Sequence, residues 1–339
     1  MYNIGSIHTR LCRLVDVKSV VSQANDQQVA AHSPFNLLNE KAYQAWREQK
    51  LDAYPVAIDE LRVSIADVTS MTPEEVKSLT RACAKTNSVI YQCQEPFTDK
   101  RQIRGLGEQL GLQRLDENIC ADEDGISGLK VSQDGTRHEG YIPYTNKPIN
   151  WHTDGYYNKD DHKIRAMILH CVSDSAQGGE NALMDHEILY ILMRDENPDM
   201  VKALMQPDVM TIPANIEKGV MIRAEQTGPV FSVDPTSGNL HMRYTARKRS
   251  IEWKQGAMVS QATIFLDDLF EQGNEYIFRY RLQPGEGIIS NNALHNRTGF
   301  EDDNETNKHR LIYRARYFDR VQSTDLNQLY RLGENACCG

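Results

Sequence analysis

Asn150-Trp151-His152-Thr153-Asp154-Gly155 is the stretch from which the rest of the chain is read. In an extended segment, residues two apart point to the same side. His152 and Asp154 would therefore offer one neutral nitrogen and one anionic oxygen to a single ion. One more histidine from a distant strand would complete a two-histidine, one-carboxylate facial triad. That set leaves positions open on Fe(II) for a co-substrate and O₂. His-x-Asp is a short pattern that also arises by chance, so its setting decides its meaning.

The setting is a series of short β-type runs. From about residue 125 they fall at Leu129–Ser132, Ile164–Val172, Val230–Val233, Leu240–Tyr244, Gly287–Ser290 and Leu311–Phe318. The turns between them carry Asp134-Gly135, Gly178-Gly179, Ser237-Gly238 and Pro284-Gly285. One helical segment interrupts them from an Asp185 N-cap to about Met205, and another lies near Gln261–Glu271. Many short strands with turn signals predict a sandwich or jelly roll, mainly β with flanking helices, rather than alternating βαβ units. Upstream, Thr72-Pro73-Glu74-Glu75 is a capping box with proline at the first helical position. Val76, Leu79 and Cys83 continue that helix, Ser88–Cys93 reads as a strand, and Thr98–Leu112 as a second helix. Gly105, Gly107 and Gly111 imitate a dinucleotide loop but do not stand between a strand and a helix start. Residues 1–60 are polar, with one helix near Asn39–Lys50, and read as an extension packed on a body of residues 61–325; residues 326–339 read as a tail.

Composition narrows the function classes. The chain has 339 residues, 40% hydrophobic and 25% charged, as in an ordinary globular protein. Its net charge of −9 disfavours a nucleic-acid partner. No run reaches the roughly 18 apolar residues of a membrane span, and Met1–Val20 lacks the apolar core of a signal peptide. The seven cysteines are odd in number, scattered and free of any C-x-x-C, which points to reduced thiols and a cytoplasmic location. No G-x-S-x-G elbow supports a serine hydrolase.

For a third ligand, His295 stands out by context: it follows the turn Leu282–Gly287 and the β-type run Ile288–Ser290. His309 is its rival, while His162, His170 and His186 read as solvated or core residues. In the run after His309, Arg310, Arg314 and Arg316 share one strand face with Ile312 and Phe318. Three arginines on one face are costly to bury without anions. A dicarboxylate co-substrate and an anionic substrate would supply them, and a solvated edge strand would explain them equally. Trp151, Tyr156, Tyr157 and Tyr244 are candidates for lining a substrate pocket, and Asn292, three residues before His295, for orienting that ligand.

At these residues the chain resembles the taurine dioxygenase and clavaminate synthase-like family of 2-oxoglutarate oxygenases. The resemblance is carried by the His152-Thr153-Asp154-Gly155 box, the Gly178-Gly179-Glu180-Asn181 turn and His295 followed by Arg310 and Arg314, in that order. It spans roughly residues 70–320. It implies a double-stranded β-helix, a jelly-roll barrel, with His152, Asp154 and His295 binding Fe(II). Arg310 would grip the distal carboxylate of 2-oxoglutarate and Arg314 an anionic group on the substrate. Asn181 stands where the family usually has threonine, and its amide can still donate. The implied reaction consumes O₂ and 2-oxoglutarate, releases succinate and CO₂, and oxidises an unactivated C–H bond of a small polar molecule. Halogenating relatives lack a carboxylate at the Asp154 position, so hydroxylation is favoured. Self-association is common in such proteins, and a homo-oligomer is compatible with the resemblance. The alternatives are a metal-dependent hydrolase or isomerase on a cupin-like barrel and a non-catalytic binding protein of the same fold.

Overall fold

The computed structural model describes residues 29–117, 124–132, 141–306 and 308–328. The Asp134-Gly135 turn, Cys337 and Cys338, and the first 28 residues lie outside them.

Two sheets face each other. The larger has six strands in the order Arg62–Ile65, Ser88–Cys93, Glu286–Ser290, Ala166–Ser173, Leu311–Tyr317 and Ile126–Leu129. Its first pair is parallel and every other pair antiparallel. The smaller has four antiparallel strands, Phe278–Tyr280, Asn181–Met184, Leu294–Arg297 and Ile149–His152. Alternation of side chains decides what lies between them. Ile90, Leu169, Ile288 and Ile312 of the large sheet meet Leu183 of the small one in the interior. Their neighbours Val89, Tyr91, Ile168, Ile289 and Ala315 pack outward against the helices Pro73–Thr86 and Lys100–Gln109. The Ala166–Ser173 strand is thus covered on both faces, which is why it reads as an almost unbroken apolar run.

Local chemistry sets the ends of the elements. Thr72 accepts from the Glu75 amide at 3.2 Å, the Glu75 carboxylate accepts from the Thr72 amide at 2.7 Å, and the helix stops at Asn87 in the left-handed region. The helix expected to run from Asp185 to Met205 is two helices, His186–Glu196 and Pro198–Leu204. Pro198 cannot continue the first, and Asn197 caps the second. The strands Arg62–Ile65, Met210–Ile212 and Phe278–Tyr280 and the hairpin Asn215–Glu217/Val220–Arg223 were not foreseen; each is only three or four residues long.

The segment before residue 61 is joined to the body. Phe35 packs edge-on against Trp46 at 4.9 Å and against Tyr190 of the His186–Glu196 helix at 5.3 Å. Beside them Lys50 is buried, 2.7 Å from Asp185 and 2.5 Å from Glu187. At the other end, Leu326 is buried and its amide donates to Asn239.

His170 shows how this interior responds to acid. Its Nε2 faces the Phe97 carbonyl, which can only accept, so Nδ1 accepts from the Tyr91 hydroxyl at 3.0 Å. Burial pulls its pKa down to about 4. The folded pKa lies below the unfolded value of about 6.5, so the unfolded chain binds more protons between the two and stability falls as pH drops through that window. His170→Gln should flatten the pH dependence of the unfolding free energy from pH 6.5 to 4, by at most about 1.4 kcal/mol per pH unit. Urea titrations across the window would measure it, and an unchanged slope would count against it.

Candidate active site

Adjacent strands of the small sheet bring two histidines together. His152 and His295 are cross-strand partners, with ring centroids 4.2 Å apart. Asp154 lies just beyond the end of its strand, and one donor atom from each of the three lies within 4.8 Å of the others. His309, the rival third ligand, is not part of this cluster.

The donor atoms suit a metal ion. His152 Nδ1 is 2.8 Å from the Asn150 carbonyl and His295 Nδ1 is 3.0 Å from that of Ala293. A carbonyl only accepts, so both Nδ1 atoms carry hydrogen and both Nε2 lone pairs are free to ligate. Burial, with the neighbouring His152, lowers the His295 pKa to about 4 and keeps its ring neutral. Burial alone would raise Asp154, but the Arg314 guanidinium and then His152 hold it well below the usual carboxylate range. Its Oδ2 is buried without a hydrogen-bond partner among the described residues, as an oxygen meant for a cation would be.

Asn292 was expected to orient His295. It instead holds the Asp154 segment. Its Oδ1 accepts from the Asp154 amide at 2.7 Å, and its Nδ2 donates to the carbonyls of Asp154 and Ile164 at 2.9 and 2.8 Å. Its φ of +55° places it in the left-handed region that asparagine tolerates and alanine does not. Asn292→Ala should lower the unfolding free energy by about 2–3 kcal/mol and weaken iron binding roughly 10–100-fold. Denaturant melts and an anaerobic iron titration would check both.

A narrow pocket between the two sheets is lined by Asn181, Gly178, Gly179, Ser175, Arg281 and Arg310. Gly178 and Gly179 have φ of +69° and +74°, and a Cβ on Gly179 would crowd Ser175 Oγ at 3.0 Å and Arg310 Nε at 3.4 Å. The turn can therefore lie against the arginine only as glycine. Arg310 is buried with Nη1 unpartnered among the described residues, and burial pulls its pKa down to about 10. A buried cation in this state calls for an anion. Arg297 escaped the sequence reading. It is buried opposite Asn181, and with Arg310 it flanks Phe300, the two guanidiniums 4.8 and 5.1 Å from the ring centre. Its spacing of two from His295 in a strand was the available signal.

The substrate candidates divide. Arg314 points toward the triad, its Nη1 3.8 Å from Asp154 Oδ1 and its Nε unpartnered among the described residues. Arg316 shares that face, but its charge is taken up by Asp116, and its Nη1 donates to the Tyr157 hydroxyl at 2.9 Å. It supports Tyr157 rather than standing free for a ligand. Trp151 and Tyr244 belong to the core. Both are buried and pack on Phe270, at 5.0 and 5.8 Å, because Trp151 alternates with His152 and faces away from the triad. Tyr156 and Tyr157 are both half-buried, with rings 5.0 Å apart. They lie in a turn, not a strand, so neighbouring residues can share a side.

A jelly roll that holds two histidines and a carboxylate within ligating reach, with a cation-lined pocket in the same barrel, is the framework of an Fe(II)- and 2-oxoglutarate-dependent dioxygenase. Residues 50–316 match the model of the taurine catabolism dioxygenase TauD, TfdA family, and the chain belongs to that family. A uridine-5'-phosphate dioxygenase from Amycolatopsis sp. is 29% identical over 200 residues, 57% of this chain and 69% of that protein. One of the same description from Streptomyces sp. is 25% identical over 226 residues, 63% of this chain and 78% of its own. An asparagine oxygenase solved with Fe(II), hydroxyasparagine and succinate superimposes with a TM-score of 0.52 at 14% identity, over 88% of this chain and 89% of that one. A taurine dioxygenase from Burkholderia xenovorans does so with 0.50 at 17%, over 74% and 84%. These likenesses establish the double-stranded β-helix. The protein is a dioxygenase that uses Fe(II), 2-oxoglutarate and O₂ on a small molecule. No helix among the described residues is long and apolar enough to cross a membrane.

Proposed function

We propose that His152, Asp154 and His295 hold the iron, that Arg310 with Asn181 holds the distal carboxylate of 2-oxoglutarate, and that the enzyme hydroxylates a small phosphorylated molecule of the nucleoside 5'-phosphate class. The observation that carries this is the Arg314 guanidinium beside the triad, its Nε without a partner among the described residues, in a chain related to two uridine-5'-phosphate dioxygenases. Iron and 2-oxoglutarate, once bound, supply the oxidising power, with succinate and CO₂ released. The residues of this chain do the rest. Two backbone carbonyls fix the ligating tautomers of His152 and His295. Asn292 holds the Asp154 backbone in place. Arg314 orients an anionic group of the substrate near the ligands. Residues 61–325 make up the catalytic domain, with the earlier segment as an extension packed on it. The buried free thiols of Cys83, Cys93 and Cys171 suit a reducing, cytoplasmic setting.

The test begins with anaerobic protein given Fe(II) and then 2-oxoglutarate. A weak visible charge-transfer band is expected, and His152→Ala should lack it. On adding O₂, uridine 5'-phosphate should raise succinate formation above the level seen with uridine or taurine. Absence of the band, with zinc bound in preference, would move the protein to the hydrolase or isomerase alternative. Stimulation by taurine alone would keep the dioxygenase and discard the phosphate.

A further inference from the structure

Around Tyr156 and Tyr157 this acidic chain gathers four guanidiniums, those of Arg223, Arg243, Arg247 and Arg316, and a fifth, that of Arg314, stands beside Asp154. Three of them have evident duties. Arg316 is paired with Asp116. Arg314 is shared with the Asp154 carboxylate. Arg243 donates to the carbonyls of Tyr156, Met210, Gly228 and Gln226 and ties the loops together. Arg223 and Arg247 are different. Arg223 closes the Asn215–Glu217/Val220–Arg223 hairpin and is half-buried, with its guanidinium carbon 5.6 Å from the centre of the Tyr157 ring. It donates only to the carbonyls of Ala224 and Pro213, at 3.3 and 2.8 Å. Arg247 is exposed, and its amide donates to the Thr245 hydroxyl at 3.4 Å. Burial raises the pKa of the Tyr156 hydroxyl, and the Arg247 charge acts against that rise. Thr245 is the bridge partner of the metal-face residue His152. Neither arginine has an ion pair with a carboxylate among the described residues.

We propose that Arg223, over the Tyr157 ring, and Arg247, beside Tyr156, form a second anion subsite on the segment that follows Asp154, and that it takes a phosphate dianion of the substrate. This rests on the phosphorylated-substrate reading above and says which residues recognise the phosphate. Charge is the reason. A phosphate monoester carries about −1.5 to −2 and offers three strong acceptor oxygens. One guanidinium already shared with Asp154 cannot balance that charge, whereas two guanidiniums without a carboxylate partner among the described residues supply the charge and further donors. The rings contribute as well. Tyr157 is held from behind by Arg316 and lies beneath Arg223, so its position is set before the ligand arrives.

The test uses the full chain loaded anaerobically with Fe(II) and 2-oxoglutarate. Inorganic phosphate, uridine 5'-phosphate and uridine are titrated calorimetrically into wild type, Arg223→Gln, Arg247→Gln and the double variant. The expected result is that each single change weakens both phosphate-bearing probes about tenfold or more and the double change more than either. Uridine binding and the 2-oxoglutarate band should stay at wild-type levels, which also shows that the variants are folded. If wild type prefers uridine 5'-phosphate to uridine and both variants keep that preference, the subsite is overturned while the phosphorylated-substrate reading survives. If wild type binds neither phosphate-bearing probe, both fall together.

Discussion

Arg310→Ala should keep its iron yet need roughly 100-fold more 2-oxoglutarate to develop the charge-transfer band, since cutting one partner of a buried charge pair costs about 2–5 kcal/mol of binding. The ligand-free protein should behave in the opposite sense. Arg310 is 5% exposed with Nη1 unpartnered among the described residues, and its pKa is pulled down to about 10, the mark of a cation that burial disfavours. Removing it deletes an uncompensated charge rather than breaking a pair, so the unfolding free energy without 2-oxoglutarate should hold steady or rise. What should vanish is the stabilisation that 2-oxoglutarate confers on the wild type, because a ligand stabilises only as far as it binds. Arg310→Lys is informative beside it: the charge remains and the two-pronged donor geometry goes, so an intermediate affinity is expected. Anaerobic titration of the band and thermal melts with and without 2-oxoglutarate give both readouts. An Arg310→Ala protein that binds 2-oxoglutarate like wild type would remove Arg310 from the site.

Lys50→Met should lower the unfolding free energy by about 3–5 kcal/mol, since it strands two buried carboxylates. Lys50 is the buried centre of the contact between the Glu40–Leu51 helix and the body, 2.7 Å from Asp185 and 2.5 Å from Glu187. Burial works against its charge, but the two carboxylates more than compensate and raise its pKa. Burial would likewise raise Asp185, and Lys50 holds it below the usual range. Asp185 also caps the next helix, accepting from the Glu187 amide at 2.8 Å, and accepts from Asn87 at 2.9 Å. A folded-state pKa below the unfolded value of about 3.9 means that the Asp185 contribution is present above that pH and is lost as pH falls through the folded value. Without Lys50, burial raises the Asp185 pKa in the folded variant, so the deficit of Lys50→Met should be largest at neutral pH and narrow as acid protonates the stranded carboxylate. Adding Asp185→Asn to Lys50→Met should restore part of the loss by discharging one stranded carboxylate. Urea melts of the two variants at pH 7 and pH 3.5 would decide, and a deficit under about 1 kcal/mol at pH 7 would mean the triad is solvated rather than buried.

What could be read from the chain alone was whatever depends on neighbours in sequence. The Thr72–Glu75 capping box, the strand Ser88–Cys93 and the common inward face of Arg310, Arg314 and Ile312 all rest on spacings of two to four residues, where backbone geometry sets side-chain direction without help. The same rule put His152 and Asp154 on one side before any partner was known. Spacing gives a direction and does not say what stands opposite, and the corrections at the site concern opposites. Trp151 and Tyr244 face Phe270, more than 20 residues away along the chain, and so belong to the core. Arg316 meets Asp116, Asn292 meets Asp154, and Lys50 meets Asp185, pairs separated by more than 100 residues. The neighbouring of His295 and His152 is of the same kind, because it depends on how the strand Leu294–Arg297 is registered against Ile149–His152. Strand register is set by the packing of whole faces, and a shift of one residue would turn His295 away from the iron site. The sequence thus determined which side chains point together along each strand, and the tertiary structure decided which strands lie together, because only the closed barrel brings such distant segments within bonding distance.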